Sequence, residues 1–583
     1  MRSNGGLYLK RKRKPLSTMM MIYTSSSRDG LRLDAQVPCL PHCPMISSNT
    51  SSDQALSWVQ EQINACTHSH AQCQRKQGEF LPTRLLSVRP NPGSQDIRLI
   101  ESKNLPSSAR YIALSHCWGK IHMQCLTKKE NLLQQLECVP WSSLTRTFQD
   151  AVDFTRRLGI DYIWIDSMCI VQNDTEDWLR EASMMFSVYG NAHVTLVGVH
   201  AGDGSVGLYS STAAQRASPK TVAFNGHDYQ LYTREATTPF HDWRQISSEA
   251  PLFGRAWCFQ ELIISSRVVF FTKQELLWEC WSNASCECTC PASNSTQDID
   301  NLKVQHFAAL ADAQYDDLRE RVIDKTNATS FRLSSVPSAA ARGLADEQLR
   351  REYRVHQWHS VVEQYSELRL TKYTDRLPAF GGVAQHYHEA GIRPGEKYLA
   401  GLWSGSIIDD LVWWAMEFGR KRLGAGVAPS WSWASVTGAV QYKQVKVALA
   451  KVLSAECEYG NTGPFSVVSG GMLGVEGPTL RLTLLQKERT RDWSLDDPEY
   501  GELTGLSTFL LDDEADSACW NRRTIDAVAF AEAWDGQTIY ILLAAKDHKV
   551  DVYTRVGILF QDDTDDRIRT WREKLPRRSF RVV

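Results

Sequence analysis

No stretch of this 583-residue chain reaches the roughly 18 apolar residues that a membrane-spanning helix needs. The nearest approach, Ile407 to Met416, is interrupted by Asp409 and Asp410, so no membrane span is expected. Neither sign of charge is in excess: 65 Lys and Arg stand against 67 Asp and Glu. No whole-molecule field therefore draws the chain to nucleic acid. The phosphate-cradling G-x-x-x-x-G-K-[ST] loop and the dinucleotide-binding G-x-G-x-x-G turn are both missing, which disfavours ordinary nucleoside-triphosphatase and dehydrogenase chemistry. No internal repeat is present.

What the chain does have is length, aromatic rings and thiols. Its 583 residues suit two or three domains. The 19 tryptophans gather in runs such as LLWECW, DLVWWAM and PSWSWAS, which suggests broad aromatic packing or a binding surface. For PSWSWAS, core or interface packing is the preferred reading. The 15 cysteines are an odd number spread through a core-forming sequence. That pattern points to reduced thiols in the cytoplasm rather than a secreted disulfide scaffold, and the Asn-x-Ser/Thr sequons then carry no information. The N-terminus has no acid before Asp29 and contains the basic run Lys10 to Lys14. Such a run can be read as a nuclear-import patch or part of a transit peptide; a solvated tail is the preferred reading.

Residues 1–54 lack periodicity and are expected to be a disordered tail. Residues 55–110 read as a helix, Gln54 to Gln72, followed by short strands. From Tyr111 the pattern becomes regular. Tyr111 to Ser115 is a buried strand. Leu144, Phe148, Val152, Thr155 and Leu158 recur at helical spacing, and Gly159 ends that helix. Tyr162 to Asp166 is a second strand. Asn173 or Asp174 caps a helix whose apolar stripe is Trp178, Ala182, Met185 and Tyr189. His193 to Val199 is a third strand. After an irregular insertion come a helix from Arg255 to Ile264 and strands at Arg267 to Phe271 and Leu276 to Glu279.

This alternation predicts an α/β domain over 111–290, with a mainly parallel sheet and helices on both faces. Residues 291–350 read as a connector. Residues 351–583 read as a C-terminal α+β, β-rich region. In parallel sheets of this kind ligands bind beyond the carboxyl ends of the strands. Here those ends carry Ser115 to Gly119, Asp166 to Cys169 and the segment after Val199.

Three motifs in order resemble the fungal heterokaryon-incompatibility (HET) domain: YIALSHCWG (Tyr111 to Gly119), WIDSMCIVQND (Trp164 to Asp174) with Tyr189 and Ala192 following, and GRAWCFQE (Gly254 to Glu261). The flanks resemble that family too. Trp58, Cys66, His70, Cys73 and Pro82 to Leu86 lie before the motifs. DRLPAF (Asp375 to Phe380), YLAGLW (Tyr398 to Trp403) and PSWSWAS (Pro429 to Ser435) lie after them. Val171 departs from the family pattern, which often has a carboxylate or amide there. The resemblance implies an effector of fungal self/non-self recognition and programmed cell death. The family's α/β domain is similar to Toll/interleukin-receptor (TIR) domains, a flavodoxin-like fold of which some members cleave NAD. Their SxWCxxEL stretch resembles Arg255 to Leu262, with Arg255 in place of the Ser. That likeness implies Glu261 as the catalytic carboxylate and NAD as a substrate, with no bound cofactor.

Cleavage of a nicotinamide–ribose bond passes through an oxocarbenium-like state, and the nicotinamide leaves neutral. One carboxylate beside the ribose can stabilise the cation. Trp257 lies one helical turn before Glu261, on the same face. With Trp118 it offers a surface for a flat ring, while Ser115 and Asp166 line the strand ends. Each has a plainer alternative. Glu261 can anchor the domain by pairing with Arg255 or Arg267, leaving Trp257 in the core. Asp166 can cap a loop by accepting backbone amides, which is slightly preferred. His116 and Cys117 are neighbours pointing to opposite faces of a strand and so make a poor nucleophilic pair.

Cys66, His70 and Cys73 fall at i, i+4 and i+7 of a helix and are zinc-type ligands. They need a fourth ligand from elsewhere, so a packed helix face is preferred and no metal is assigned. Cys280, Cys286, Cys288 and Cys290 lack the C-x2-C spacing of common zinc knuckles. Two functions lead on these residues, ahead of a zinc-dependent hydrolase as the third. One is an enzyme that consumes NAD or a related nucleotide. The other is a non-enzymatic module that self-associates or binds an incompatibility partner protein.

Overall fold

The short buried strands foreseen from Tyr111 onward are the middle of an eight-stranded sheet in the computed structural model. The described residues are 47–70, 73, 80–119, 125–211, 250–287 and 346–583, less Ser48 and several short loops in the last stretch, together with the backbone of five strand segments within 2–24 and 220–235. Residues 11–14 of the basic run, residues 291–345 of the connector, and Cys288 and Cys290 lie outside them. The chain divides into two units, Met1–Phe307 and Ala308–Val583.

In the first unit, α1 (Asp53–Ser69) starts at Ser52, whose hydroxyl accepts from the Ala55 N–H; this satisfies one of the free amides of the first turn. Then come β1 (Arg84–Ser87), β2 (Arg98–Glu101), β3 (Tyr111–Ser115), α2 (Leu132–Glu137), α3 (Arg146–Arg157), β4 (Tyr162–Ile165), α4 (Asp166–Cys169), α5 (Thr175–Ser183), α6 (Met185–Asn191), β5 (Val194–Gly198), α7 (Ala256–Ile264), β6 (Arg267–Phe271), β7 (Leu276–Cys280) and β8 (Ala284–Cys286). The spatial order is β8-β7-β6-β5-β3-β4-β1-β2. The pairs β4–β3, β3–β5 and β5–β6 are parallel.

The expectation of a mainly parallel sheet is corrected here. Four parallel strands form the centre, and an antiparallel hairpin closes each edge, β1–β2 on one side and β7–β8 on the other. The reason is the length of the links. Thr272 to Glu275 joins β6 to β7, and a link this short can only turn the chain back antiparallel. The helices of 111–261 are long enough to cross over, and they do.

Helices cover both faces, as expected. On one face α3 sets Phe148 edge-on against His116 and Phe154 against Phe271. On the other, α6 packs along α7, and Tyr111 reaches the Val188 carbonyl with its hydroxyl. Alternation along the strands divides neighbours between these faces: Phe270 meets Phe253 while Phe271 meets Phe154. Asp174 caps α5 by accepting from the Glu176 and Asp177 amides. The single helix foreseen through Trp178 and Tyr189 breaks at Met184 into α5 and α6. The strand segments Arg2–Ser3, Gly6–Lys10, Met19–Thr24, His227–Glu235 and Lys220–Phe224 pair in that order as a separate sheet. They fall in the stretch expected as a tail and in the insertion after β5.

The described residues of the second unit begin with α8 (Asp346–Ser366) and α9 (Pro378–Glu389). Trp358 of α8 packs against Phe380, Tyr387, Tyr398 and Trp403. YLAGLW is a two-residue hairpin, with Ala400 at φ 48° and Gly401 at φ 100°, the mirror-image turn that matches strand twist. The Gly401 carbonyl accepts the indole N–H groups of both Trp358 and Trp433. A side chain at 401 would overlap the Trp433 ring. PSWSWAS is thus core of the second unit.

The β-rich part contains β9 (Lys451–Tyr459), β10 (Val468–Gln486), β11 (Thr524–Ala533), β12 (Gln537–Asp547), β13 (Val550–Asp562) and β14 (Arg577–Val582). The nineteen-residue β10 pairs with β11 through its second half and with β14 through its first. The path β10–β11–β12–β13–β14 returns to β10, so the five strands close on themselves and leave no free edge among them. Among the described residues, no helix is long and apolar enough to cross a membrane.

Candidate functional site

The carboxyl ends of β3 and β4 and the first turns of α7 bring four of the five predicted site residues together. Ser115 is the last residue of β3, and its hydroxyl lies 3.6 Å from the Cys258 sulfur on α7. Glu261, one turn after Cys258, lies beside the hydroxyls of Ser115 and Tyr189. The Tyr189 hydroxyl donates to the Leu114 carbonyl at 3.2 Å. The Trp118 indole donates to Asp166 Oδ2 at 2.8 Å. Asp166 Oδ1 accepts the Ser167 amide at 2.6 Å, the local cap foreseen as its plainer role.

Glu261 is 7% exposed. Burial pushes its carboxyl up to about 7, and the negative charge of Asp166 adds to the shift; the Ser115 and Tyr189 hydroxyls and the Arg255 guanidinium oppose it. Desolvation disfavours the charged form, and two carboxylates near one another resist ionising together. The cluster therefore holds one carboxyl poised near neutral pH beside a second carboxylate.

Arg255 precedes α7 and donates to the His116 carbonyl at 2.8 Å, tying the loop after β3 to the start of the helix. Of the two arginines proposed to hold Glu261, Arg255 is the one whose charge reaches it. Arg267 instead points its Nε at the Cys66 sulfur, 3.3 Å away. His116 is buried against Phe148, with neither ring nitrogen hydrogen-bonded among the described residues and Nδ1 3.8 Å from Asp166. Burial lowers its pKa. Cys117 faces the opposite side, packed with Phe253, Cys258 and Leu262, so the two do not form a pair.

Trp257 is the predicted residue whose described contact lies elsewhere. Half-buried, it packs edge-on against Trp178 of α5, 6.1 Å between centroids. Tyr189 is the residue sequence reading missed. It was legible as a member of an apolar stripe and of the motif it forms with Ala192, but not as a site residue, because a tyrosine's ring signals burial and its hydroxyl signals nothing until a partner is placed. A cavity of about 380 Å3 is lined by Leu81, Pro82, Thr83, Glu101, Ser102 and Lys103, and includes none of the predicted site residues.

Gly119 ends the loop that carries Trp118. Its φ is +71°, and an added Cβ would sit 2.3 Å from the Cβ of Asp203. Gly119→Ala is expected to lower the stability of the first unit by about 3 kcal/mol, from the left-handed backbone and the overlap together. Thermal unfolding of the purified variant measures this.

The expected metal-ligand geometry is altered. α1 ends at Ser69, and His70 is its C-cap. Cys73 is reached through a turn in which its amide donates to the His70 carbonyl, so the three residues do not share a helix face. They are nevertheless brought together, and Cys280 at the end of β7 joins them.

No curated protein and no solved structure matches the chain. Residues 111–261, from the first residue of β3 to Glu261, match the family model described as heterokaryon incompatibility protein (HET), and this chain therefore carries a HET domain.

Proposed function

We propose that the chain is an effector of the heterokaryon-incompatibility type, acting in fungal self/non-self recognition and cell death, and that its HET domain cleaves the nicotinamide–ribose bond of NAD. The observation that carries this reading is the cluster at the strand ends, where Glu261, with a pKa near 7, shares one neighbourhood with Ser115, Asp166 and Trp118. The order β4-β3-β5-β6 supports it as well. In such sheets the chain leaves the central strand to both sides, and the crevice at that switch point is where ligands bind. This order is shared with flavodoxin-like sheets, in keeping with the likeness to TIR domains.

In the reaction the C1′–N bond breaks and its electron pair stays on the nicotinamide nitrogen, so the base leaves neutral. Ionised Glu261 stabilises the cation left on the ribose. Water adds at C1′, and its proton passes to the carboxylate or to solvent. The nicotinamide ring of NAD is cationic, and a bound cation lowers the pKa of a neighbouring carboxyl. Substrate therefore converts half-protonated Glu261 to the form the reaction needs.

A second reading has its own support. Glu261 is 7% exposed and its partners come from the fold itself, as for a group that specifies structure. The HET domain would then act by self-association or by binding a partner protein. Expression of the full chain and of Glu261→Gln, with cellular NAD and viability followed, separates the two. Catalysis predicts that NAD falls in the wild type and that the variant loses roughly 100-fold or more of the activity. Cell death with NAD level in both would overturn catalysis in favour of association. NAD falling equally in both would remove Glu261 from the reaction.

A further inference from the structure

Three thiols and an imidazole converge at the other end of the first unit, away from any role in the chemistry above. The ligand atoms of Cys66, His70, Cys73 and Cys280 all lie within 4.8 Å of one another. The three cysteines are buried and free, and His70 is half-buried. The Cys280 sulfur is 3.4 Å from His70 Nδ1. Around a tetrahedral zinc, with Zn–S about 2.3 Å and Zn–N about 2.0 Å, ligand atoms stand roughly 3.5 to 3.8 Å apart. The cluster is therefore close to the dimensions of a metal site and needs only a small contraction.

The surroundings argue for a charged centre. Arg267 is 3% exposed. Its donors go to the Cys66 sulfur at 3.3 Å, the Cys73 carbonyl at 3.2 Å and the His193 carbonyl at 3.4 Å, and it makes no ion pair with a carboxylate among the described residues. A buried guanidinium needs compensating negative charge. Three neutral thiols supply none. Three thiolates and one imidazole around a divalent ion carry a net charge of minus one, which balances Arg267. The Ser282 hydroxyl, 3.4 Å from the Cys73 sulfur, offers a further donor to a thiolate.

We propose that Cys66, His70, Cys73 and Cys280 bind one structural zinc ion. Soft thiolates with one imidazole select zinc among abundant divalent ions, and four protein ligands leave no position for substrate. Binding is balanced by release of three thiol protons for each zinc taken up, with His70 coordinating as the neutral imidazole. The site closes the HET domain from both sides. Cys66 and Cys73 precede the matched residues 111–261 and Cys280 follows them, so the ion ties the end of α1 to β7, the inner strand of the antiparallel hairpin at that side of the sheet.

The test uses the full chain, purified without chelator and analysed for metal by mass spectrometry. The expected result is about one zinc per chain, released by chelator together with three newly reactive thiols. Cobalt added to the stripped protein should give the intense visible bands of tetrahedral thiolate coordination. Cys280→Ser should abolish those bands, and Cys138→Ser, at an exposed cysteine, should leave them unchanged. If Cys280→Ser does not fold, His70→Asn at the half-buried ligand gives the same comparison. Arg267→Gln should weaken zinc binding by roughly 10-fold or more, as loss of an outer partner does. Folded wild-type protein with less than roughly a tenth of an equivalent of zinc and no tetrahedral cobalt spectrum would overturn the proposal. So would a disulfide between any two of the three cysteines.

Discussion

Glu261→Gln is expected to stabilise the first unit at alkaline pH by on the order of 3 kcal/mol relative to the wild type, and to have little effect near pH 4. The sign follows from the protonation of the two states. The folded-state pKa is about 7 against an ordinary 4.5. Between those values the folded chain holds a proton that the unfolded chain has lost. Stability therefore falls as pH rises through that window and is level above it. Glutamine keeps the shape and an acceptor for the Ser115 and Tyr189 hydroxyls, and has no proton to lose. Denaturant midpoints of the full chain and the variant, measured at about pH 5 and about pH 8, check this. The wild type should lose stability across the interval through this group and the variant should not. Equal pH dependence in both would mean that Glu261 is ionised without cost. A buried acid that costs the fold stability at neutral pH is what a catalytic carboxyl looks like thermodynamically, so the measurement bears on the functional reading as well.

The second unit should be as sensitive at Asp512. Arg555 is 0% exposed and lies over the Trp413 ring at 3.6 Å. It donates to the Leu411 and Trp413 carbonyls, and its Nε meets Asp512 Oδ2 at 3.0 Å. Arg422 reaches the same carboxylate oxygen at 3.1 Å. One buried carboxylate, itself 1% exposed, thus faces two guanidinium groups. Asp512→Asn keeps the volume and removes the charge. It leaves Arg555 buried beside another cation, for an expected loss of about 3 to 5 kcal/mol. The second unit should then unfold at clearly lower denaturant than in the wild type. A shift below about 1 kcal/mol, the range of exposed pairs, would show that water reaches Arg555.

Much of the HET domain could be read before any coordinate. Tyr111 to Ser115 is the strand foreseen. The helices about Phe148 and Phe259 stand within two residues of their expected bounds. These elements are legible because each meets its whole requirement locally: an apolar face at a period of two or 3.6, a capping residue such as Thr145 or Asp174, and a terminating glycine such as Gly159. Ser115, Asp166 and Trp118 could be named as site candidates for a related reason, since the carboxyl ends of parallel strands are set once the strands are.

Tertiary structure decided the rest. Sequence alone established the element order and the balance of charge, and its motifs marked the stretch that is the HET domain, because those depend on neighbours along the chain. Whether the sheet is parallel to its edges depended on β1–β2 and β7–β8, whose register no local period reports. Tyr189 became a partner of Glu261 only when α6 was laid against α7. The closure of β10 onto β14 joins strands whose pairing no single segment encodes. Arg267 was a candidate partner for Glu261 by proximity in sequence, and the fold gave it to the thiols instead. The fourth member of that thiol cluster, Cys280, lies 214 residues beyond Cys66. Ligand convergence over such a separation is a property of packing, where side chains from distant strands and helices share one buried space and must satisfy one another's charge.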